Sequence, residues 1–185
     1  MNKEKGFTLL EILTVVVIIS LLSTIIIAGY REGERQFALK RSAHQLAQSL
    51  RKAQEMALSS QEFMGIPQGG YGISLKEGSD KYVLFIDCNN NNQFDNGNVC
   101  RDCSSGECFG YVSDKIEEFT LEELIKVETL TPYPGEDNSL SVVFLPPDPE
   151  TVFNPESDFA SIKLNFENGP GKMIYINKVG LIEIE

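Results

Sequence analysis

The sequence contains no tryptophan, one histidine and few cationic residues. A single histidine, His44, excludes a histidine-rich metal site and most histidine-based acid–base catalysis. Sixteen Lys and Arg stand against 27 Asp and Glu, which gives the 185-residue chain a formal net charge of -11. Phosphate binding requires clustered cations, so we expect no nucleic-acid partner. The length suits one domain with a sizeable core.

Catalytic motifs are also absent from the sequence. It has no glycine-rich phosphate loop, no Ser-His-acid set around His44 and no convincing pair of acid–base carboxylates. We therefore expect a protein that is not an enzyme and that needs no cofactor, with calcium, and zinc at the cysteines, as the alternatives discussed below.

One long apolar run dominates the amino-terminal part. Between Ile12 and Ile27 only hydroxyl side chains interrupt the aliphatic residues. Residues 7–30 would form a helix about 36 Å long, against a hydrocarbon core of about 30 Å. The carboxy-terminal end of this run lacks the small-residue cleavage site of an ordinary secretory signal. The pattern predicts a single membrane anchor followed by an aqueous domain.

Glu11 is an ionisable residue within this apolar segment. A carboxylate at the centre of a bilayer costs roughly 2.5–3.5 kcal/mol on insertion scales, so such a residue usually faces a partner. The alternative is a side chain that snorkels to the membrane surface.

The helical pattern continues beyond the apolar run. No Gly or Pro occurs from Glu34 to Met64, and apolar residues recur at spacings of three and four. This stripe consists of Leu39, Ala43, Leu46, Leu50, Ala53 and Ala57. We predict one helix from about Phe7 to Glu62, amphipathic in its second half and lying on a sheet. A coiled-coil dimer is the alternative use of the stripe.

The remainder of the chain is strand-like. Short segments rich in β-branched and aromatic residues are bounded by turn residues at 71–76, 82–87, 124–130, 140–145, 162–166, 173–177 and 181–184. Residues 177–180 favour a tight hairpin turn. The proline-rich stretch 146–149 and Asn154-Pro155 mark a loop that cannot join a central strand. The fold class is therefore α+β, with one long helix followed by an antiparallel sheet.

Charge divides along the same boundary. Residues 7–62 carry six Lys and Arg against five acids, whereas residues 63–185 carry eight against 21, a net charge of -13. This balance predicts a solvated head. The helix cations, among them Arg31, Arg35, Lys40, Arg41, Arg51 and Lys52, could pair with acids on neighbouring heads.

The first residues form a short Lys-bearing leader that ends at Gly6, followed by Phe7 and, four residues later, Glu11. Together with the apolar run, this resembles the amino terminus of type IV prepilins and type II secretion pseudopilins. The resemblance implies that prepilin peptidase cleaves after Gly6 and methylates the new terminus at Phe7. Ala28 stands where many members of the family have a proline.

The same resemblance implies a pilin-like layout with four parts. These are a leader (1–6), a transmembrane or filament-core half-helix (7–30), an amphipathic half-helix (31–62) and a β-rich head (63–185). It also implies a single-pass protein of the bacterial inner membrane with its head outside the cytoplasm. Its partners would be other pilin or pseudopilin subunits, prepilin peptidase, the inner-membrane assembly platform and the membrane itself.

The finer resemblance is to the GspH/FimT group of minor pseudopilins. It rests on the Ala/Gln-rich helix, Tyr71-Gly72-Ile73, the Asn-rich segment after Asp87 and the terminal turn around Gly180. The function that it implies is a minor pseudopilin of a type II secretion pseudopilus, and the alternative is a minor type IV pilin. Two other classes stay open, a ligand-binding tip module and a membrane-tethered domain that never polymerises.

The resemblance also implies a role for Glu11 in assembly. Cleavage after Gly6 frees an ammonium group on Phe7, and the Glu11 of a neighbouring subunit can neutralise it. Because an unpaired buried charge costs several kcal/mol, this pair would favour one axial register between subunits.

All four cysteines, Cys88, Cys100, Cys103 and Cys108, fall within one short segment. Outside the cytosol thiols tend to oxidise, so two disulfides are expected, in any of three connectivities. Nesting Cys100–Cys103 inside Cys88–Cys108 is one permissible arrangement. A zinc site made of all four thiolates is the alternative, favoured by the C-x-x-C spacing but opposed by the position of the other two cysteines.

The same segment contains alternating oxygen-bearing side chains. The set Asp87, Asn89, Asn91 and Asp95, with Gln93 between, is similar to the ligand series of a calcium loop. Asn92 replaces the usual glycine, and Asn98 stands where a glutamate would complete the site. The alternative is an Asn-rich turn, since Asn tolerates left-handed backbone conformations.

Overall fold

The computed structural model describes residues 6–59, 70–102, 109–134, 137–146, 150–166, 169 and 171–185. The chain forms two compact units, residues 1–37 and residues 38–185. Each unit is treated by itself below.

Helix α1 runs from Leu9 to Leu58, a length of 50 residues. It begins two residues later than predicted, because Thr8 caps it by accepting the Glu11 N–H on its hydroxyl at 3.3 Å. The helix passes Gly33 without a break. The single long helix is confirmed up to Leu58, while the predicted last turn at 60–62 lies outside the described residues.

The apolar stripe of α1 lies in the core of the second unit. Leu39 is 4 % exposed, and the other five residues of the stripe are fully buried. They share one hydrophobic cluster with side chains from both large sheets. The stripe therefore packs within its own chain, and the coiled-coil interpretation is wrong for it.

Eleven strands occur among the described residues. They are β1 (Gly70–Lys76), β2 (Lys81–Asp87), β3 (Asn98–Asp102), β4 (Phe109–Ser113), β5 (Lys115–Thr120), β6 (Ile125–Thr131), β7 (Ser139–Leu145), β8 (Glu150–Asn154), β9 (Phe159–Phe166), β10 (Gly171–Asn177) and β11 (Ile182–Ile184). They form a five-stranded sheet (β5-β2-β1-β7-β8), a four-stranded sheet (β11-β10-β9-β6) and the β3–β4 pair. All pairings are antiparallel. The α+β, pilin-like fold class is confirmed.

The seven predicted strands correspond to β1, β2, β6, β7, β9, β10 and β11. Four strands escaped prediction. The β3–β4 pair belongs to the cysteine segment, and β5 carries three charges that mask its alternation. The β8 strand ends directly before Pro155 and lies at the edge of its sheet, as the rule for proline-flanked strands requires.

Polar contacts attach the helix to the head within the second unit. The Ser49 and Tyr82 hydroxyls form a buried hydrogen bond of 3.0 Å. Lys52 Nζ lies 2.7 Å from the Glu117 carboxylate, and Arg41 binds Glu122 through two nitrogens. Arg41 and Lys52 therefore pair with acids of their own head, which corrects the expectation that they serve neighbouring heads.

The two large sheets are bridged at their edges. The turn between β1 and β2 exchanges hydrogen bonds with β6, from Gly78 N–H to the Val127 carbonyl (2.8 Å) and from Val127 N–H to the Ser79 carbonyl (3.0 Å). On the other side the Thr151 N–H of β8 donates to the Lys178 carbonyl in the turn before β11. These contacts satisfy edge groups that would otherwise invite pairing with another chain.

Candidate functional site

The first candidate site is the apolar part of α1. Residues 9–26 are long and apolar enough to cross a membrane, with a mean hydropathy of 2.6 and none of them buried within the chain. Large aliphatic side chains such as Leu9, Ile18 and Ile26 are more than half exposed. A helix that is apolar on every side requires lipid or protein around it.

Three of the four hydroxyl side chains in this segment are satisfied by the helix itself. Thr14 donates to the Glu11 carbonyl at 2.9 Å, Ser20 to the Val16 carbonyl at 2.8 Å and Thr24 to the Ser20 carbonyl at 2.9 Å. Such bonds to the preceding turn let a hydroxyl enter an apolar environment without a partner from elsewhere. These residues therefore do not require another subunit.

Glu11 differs from these hydroxyl residues. Its backbone N–H is capped by Thr8, but its exposed carboxylate has no hydrogen bond or ion pair in the part of the chain that the structure describes. A carboxylate in the first turn of a helix gains only a modest stabilisation from the helix dipole, typically about 0.3–1 kcal/mol. In an apolar environment Glu11 is therefore a site that requires a cation.

Gly6 and Phe7 precede the helix, and the described chain makes few packing contacts with them. A Cβ atom added at Gly6 would meet no atom within 4 Å, and Phe7 is 78 % exposed. Packing within the described chain thus gives no reason for a glycine at position 6. Recognition by a processing enzyme would supply one.

The family comparison settles what kind of amino terminus this is. Residues 1–27 match the model of the prokaryotic N-terminal methylation motif. No curated protein and no solved structure matches the chain.

The N-terminal methylation motif is type IV pilin-like, so the predicted resemblance is confirmed at that level. The motif implies processing by prepilin peptidase and assembly with other pilin subunits, and its family is structural rather than enzymatic. Together with the apolar helix it indicates membrane anchoring. It does not distinguish pilins from pseudopilins.

The second candidate site is the cysteine segment. Cys88, directly after β2, and Cys100, in β3, form a disulfide with their Cα atoms 5.2 Å apart. The nested arrangement is therefore wrong, and so is the zinc site made of all four thiolates, because two of the sulfurs are bonded to each other. Cys103 and Cys108 lie outside the described residues.

We expect the remaining two cysteines to form the second disulfide, Cys103–Cys108, and trypsin tests this directly. Cleavage at Lys81, Arg101 and Lys115 places Cys88 and Cys100 in one peptide and the other two cysteines in the next. Non-reducing mass spectrometry should find two separate peptides, each lighter by two hydrogens than its reduced form. A species in which the two peptides are linked would contradict both pairings.

The Asn-rich loop between β2 and β3 folds around Asp87. The two carboxylate oxygens of Asp87 accept hydrogen bonds from the backbone N–H groups of Asn91 (3.1 Å) and Asn92 (2.7 Å). Asn92 has a φ of 58°, so it takes the left-handed conformation that a glycine would otherwise supply. Asn90 (56°) and Asn96 (47°) do the same, which confirms the interpretation of the segment as an Asn-rich turn.

The other predicted ligands lie around Asp95. Its carboxylate accepts the side-chain amide groups of Asn89 (2.8 Å) and Asn91 (3.0 and 3.1 Å). Gln93 takes part through its backbone N–H, which donates to the Asn91 side chain. The loop thus brings all four predicted residues together. In this arrangement the described residues hold no group of three or more His, Cys, Asp or Glu side chains placed to bind a metal ion.

Asp114, between β4 and β5, is a member of this cluster that the sequence did not reveal. It is 1 % exposed, and its Oδ2 accepts the Asp95 N–H at 2.9 Å. Its Oδ1 is buried without a hydrogen-bond partner among the described residues. Burial raises the pKa of both Asp87 and Asp114, and the charge of Asp95 adds to the increase. No spacing in the sequence relates Asp114 to the loop, because the strand pairings create their proximity.

Proposed function

We propose that the chain is a minor pseudopilin, a structural subunit of a type II secretion pseudopilus that assembles through its amino-terminal helix. Its parts are a leader (1–6), a filament-core half-helix (7–30), an amphipathic half-helix (31–62) and a periplasmic head (63–185). The observation that carries the proposal is the contrast within residues 9–26, where Thr14, Ser20 and Thr24 bond to carbonyls of their own helix, whereas the charged Glu11 side chain has no partner among the described residues.

Leader removal explains this contrast. Cleavage after Gly6 creates an ammonium group on Phe7, close to the membrane or in the filament core. Glu11 of an adjacent subunit neutralises it, and two charges that would each be costly alone become a pair. Because the pair forms at one axial offset only, it selects the register in which subunits stack.

The composition and the internal ion pairs of the head support the pseudopilin assignment. It provides a compact, acidic, disulfide-bonded domain whose helix cations Arg41 and Lys52 are engaged internally. Backbone groups of Val127 in β6 and Thr151 in β8 are bridged within the chain, which limits the pairing of these two edge strands with another subunit. The Ala/Gln-rich helix and the terminal hairpin favour the GspH/FimT group within this class.

Complementation of a deletion strain tests the proposal with two readouts, the mass of the mature subunit and export of secreted proteins. We expect the wild-type subunit to begin at an N-methylated Phe7 and to restore export. Gly6→Val should retain Met1 and fail to restore export, because it removes the glycine after which the peptidase cuts. Misfolding would not explain this result, since a side chain at position 6 meets no atom within 4 Å.

Two outcomes would contradict the proposal. A wild-type subunit that keeps Met1, or is cut elsewhere, would exclude processing by prepilin peptidase. If the deletion strain exports proteins normally but lacks pili, the subunit belongs to a type IV pilus instead.

A further inference from the structure

We propose that the outer face of the four-stranded sheet docks a cationic segment of an adjacent subunit, one that carries an Arg or Lys next to a large apolar side chain. The inference rests on the proposed function, because it names a partner in the same filament. It concerns a surface of the head, separate from the amino-terminal segment that carries Glu11.

The outer face is the side of this sheet that points away from the core. Ile174 and Ile176 of β10 are buried in the core, so Tyr175 and Asn177 lie on the opposite face, since side chains alternate along a strand. The strand register extends this face to both neighbours of β10. It places Glu183 of β11 opposite Tyr175, and Phe159 of β9 opposite Asn177.

Side chains of these three strands form a groove. Leu181 lies just before β11, where its carbonyl accepts the Asn177 N–H at 3.3 Å. The docking groove encloses about 310 Å³ and is lined by Phe159, Tyr175, Ile176, Asn177, Leu181, Glu183 and Glu185. This volume suits one or two side chains of a partner segment.

Exposed apolar side chains of the head gather at this groove. After α1, the large hydrophobic residues that are exposed within the described ranges are Leu124, Tyr133, Phe159, Val179 and Leu181. Three of these five lie here, Phe159 (49 % exposed) and Leu181 (55 %) in the groove and Val179 (77 %) in the turn beside it. Apolar surface that is clustered in this way and rimmed by polar residues is typical of an interaction site.

The charge of the groove selects a cationic partner. Glu183 and Glu185 are exposed, and the salt bridges of the described chain use other acids. Lys178, in the turn before β11, is already paired with Asp158 at 2.6 Å. Because like charges repel across an interface, these acids favour a segment with Arg or Lys and oppose an acidic one.

Tyr175 adds an aromatic contact for the same cation. The register sets it between Glu183 on β11 and Ser161 on β9, and its hydroxyl donates to the Met173 sulfur at 3.2 Å. A guanidinium or ammonium group is attracted to the face of an aromatic ring. A cation paired with Glu183 would therefore also contact Tyr175, while its aliphatic stem lies on Leu181.

The groove is held in shape before a partner binds. Asn177 Oδ1 accepts the N–H groups of Val179 (3.1 Å) and Leu181 (3.0 Å), and Gln54 of α1 donates to the Gly180 carbonyl at 3.3 Å. A preformed surface loses little conformational entropy on binding. The contact with Gln54 also fixes the groove to the amphipathic half of α1, so a subunit that stacks against this helix is the partner that we assign.

Photocross-linking in isolated filaments tests the docking groove. A benzophenone amino acid at Val179 lies beside the groove without lining it, and we expect it to form an adduct with another pilin-like subunit through a peptide that contains Arg or Lys. Glu183→Lys should reduce the adduct at least about fivefold, because it replaces attraction by repulsion. Glu183→Gln, which only removes the charge, should give a smaller loss. The matched control Glu123→Lys, at an exposed acid before β6, should leave the adduct unchanged.

The same material separates this proposal from the proposed function. Subunits that begin at Phe7 and enter filaments but form no adduct would overturn the docking groove alone. An adduct with an exported protein, or an equal adduct in Glu183→Lys, would overturn it as well. A chain that never enters filaments would overturn both proposals. The Tm of each variant in detergent micelles should match that of the wild type, because Glu183 and Glu123 are exposed, and this excludes misfolding as the cause of a lost adduct.

Discussion

Replacing Glu11 with alanine should reduce incorporation into filaments by at least about tenfold while membrane insertion and leader removal continue. The substitution leaves the Phe7 ammonium without its partner in the assembled core, where an unpaired charge costs several kcal/mol, and each 1.4 kcal/mol is a factor of ten. Insertion should not suffer, because removing a carboxylate makes the segment from Leu9 to Ile26 more apolar. Quantifying the subunit in isolated filaments against the membrane-retained subunit measures the effect.

Thr14→Ala is the matched control for Glu11→Ala. Thr14 lies in the same segment, but its hydroxyl bonds the carbonyl of its own helix, so its loss should leave incorporation near the wild-type level. Glu11→Gln should behave like Glu11→Ala, since it keeps the size of the side chain and removes the charge.

Co-expression of Glu11→Ala with the wild type separates pairing between subunits from pairing within one subunit. In the first case, wild-type subunits present Glu11 to the variant's ammonium, so co-expression should raise incorporation of the variant above its level when it is expressed without the wild type. Normal incorporation of Glu11→Ala alone would contradict the mechanism. A filament map with the Phe7 nitrogen and the neighbour's Glu11 beyond contact would do so as well.

The long helix and the hairpin turn at 177–180 could be predicted because the sequence patterns that specify them are local. Spacings of three and four placed Leu46 and Leu50 on one face, and the structure buries both completely. Asn177 to Gly180 contains its own turn chemistry, with Gly180 at a φ of 81° and its N–H donating to the Asn177 carbonyl. In both cases the residues that decide the structure are sequence neighbours.

The parts that escaped prediction depend on distant residues. Asp114 joins Asp95 only because the β2–β5 pairing brings the end of β4 beside the Asn-rich loop. Arg41 and Lys52 could not be assigned to Glu122 and Glu117 from spacing, since about 65 to 81 residues separate the partners. Disulfide connectivity is undetermined by sequence for the same reason, because four cysteines allow three pairings.

The head should depend strongly on the buried side of α1, and Leu46→Ala tests this dependence. Leu46 is fully buried in the cluster that the helix shares with both large sheets. Truncating a buried leucine removes transfer free energy and leaves a cavity, so we expect the free energy of unfolding to fall by about 2–5 kcal/mol. Domains of this size are typically stable by only about 5–15 kcal/mol, so the variant should also accumulate poorly in cells.

Leu58→Ala is the matched control for Leu46→Ala, at the same residue type on the same helix. Leu58 is 49 % exposed at the end of α1, and its truncation should cost less than about 1 kcal/mol. Chemical unfolding of the full chain in detergent micelles measures both, followed by tyrosine fluorescence, to which the head contributes five of the six tyrosines. Equal losses at the two positions would mean that the head does not rely on the helix for its core, and that the amphipathic half of α1 serves contacts with other subunits instead.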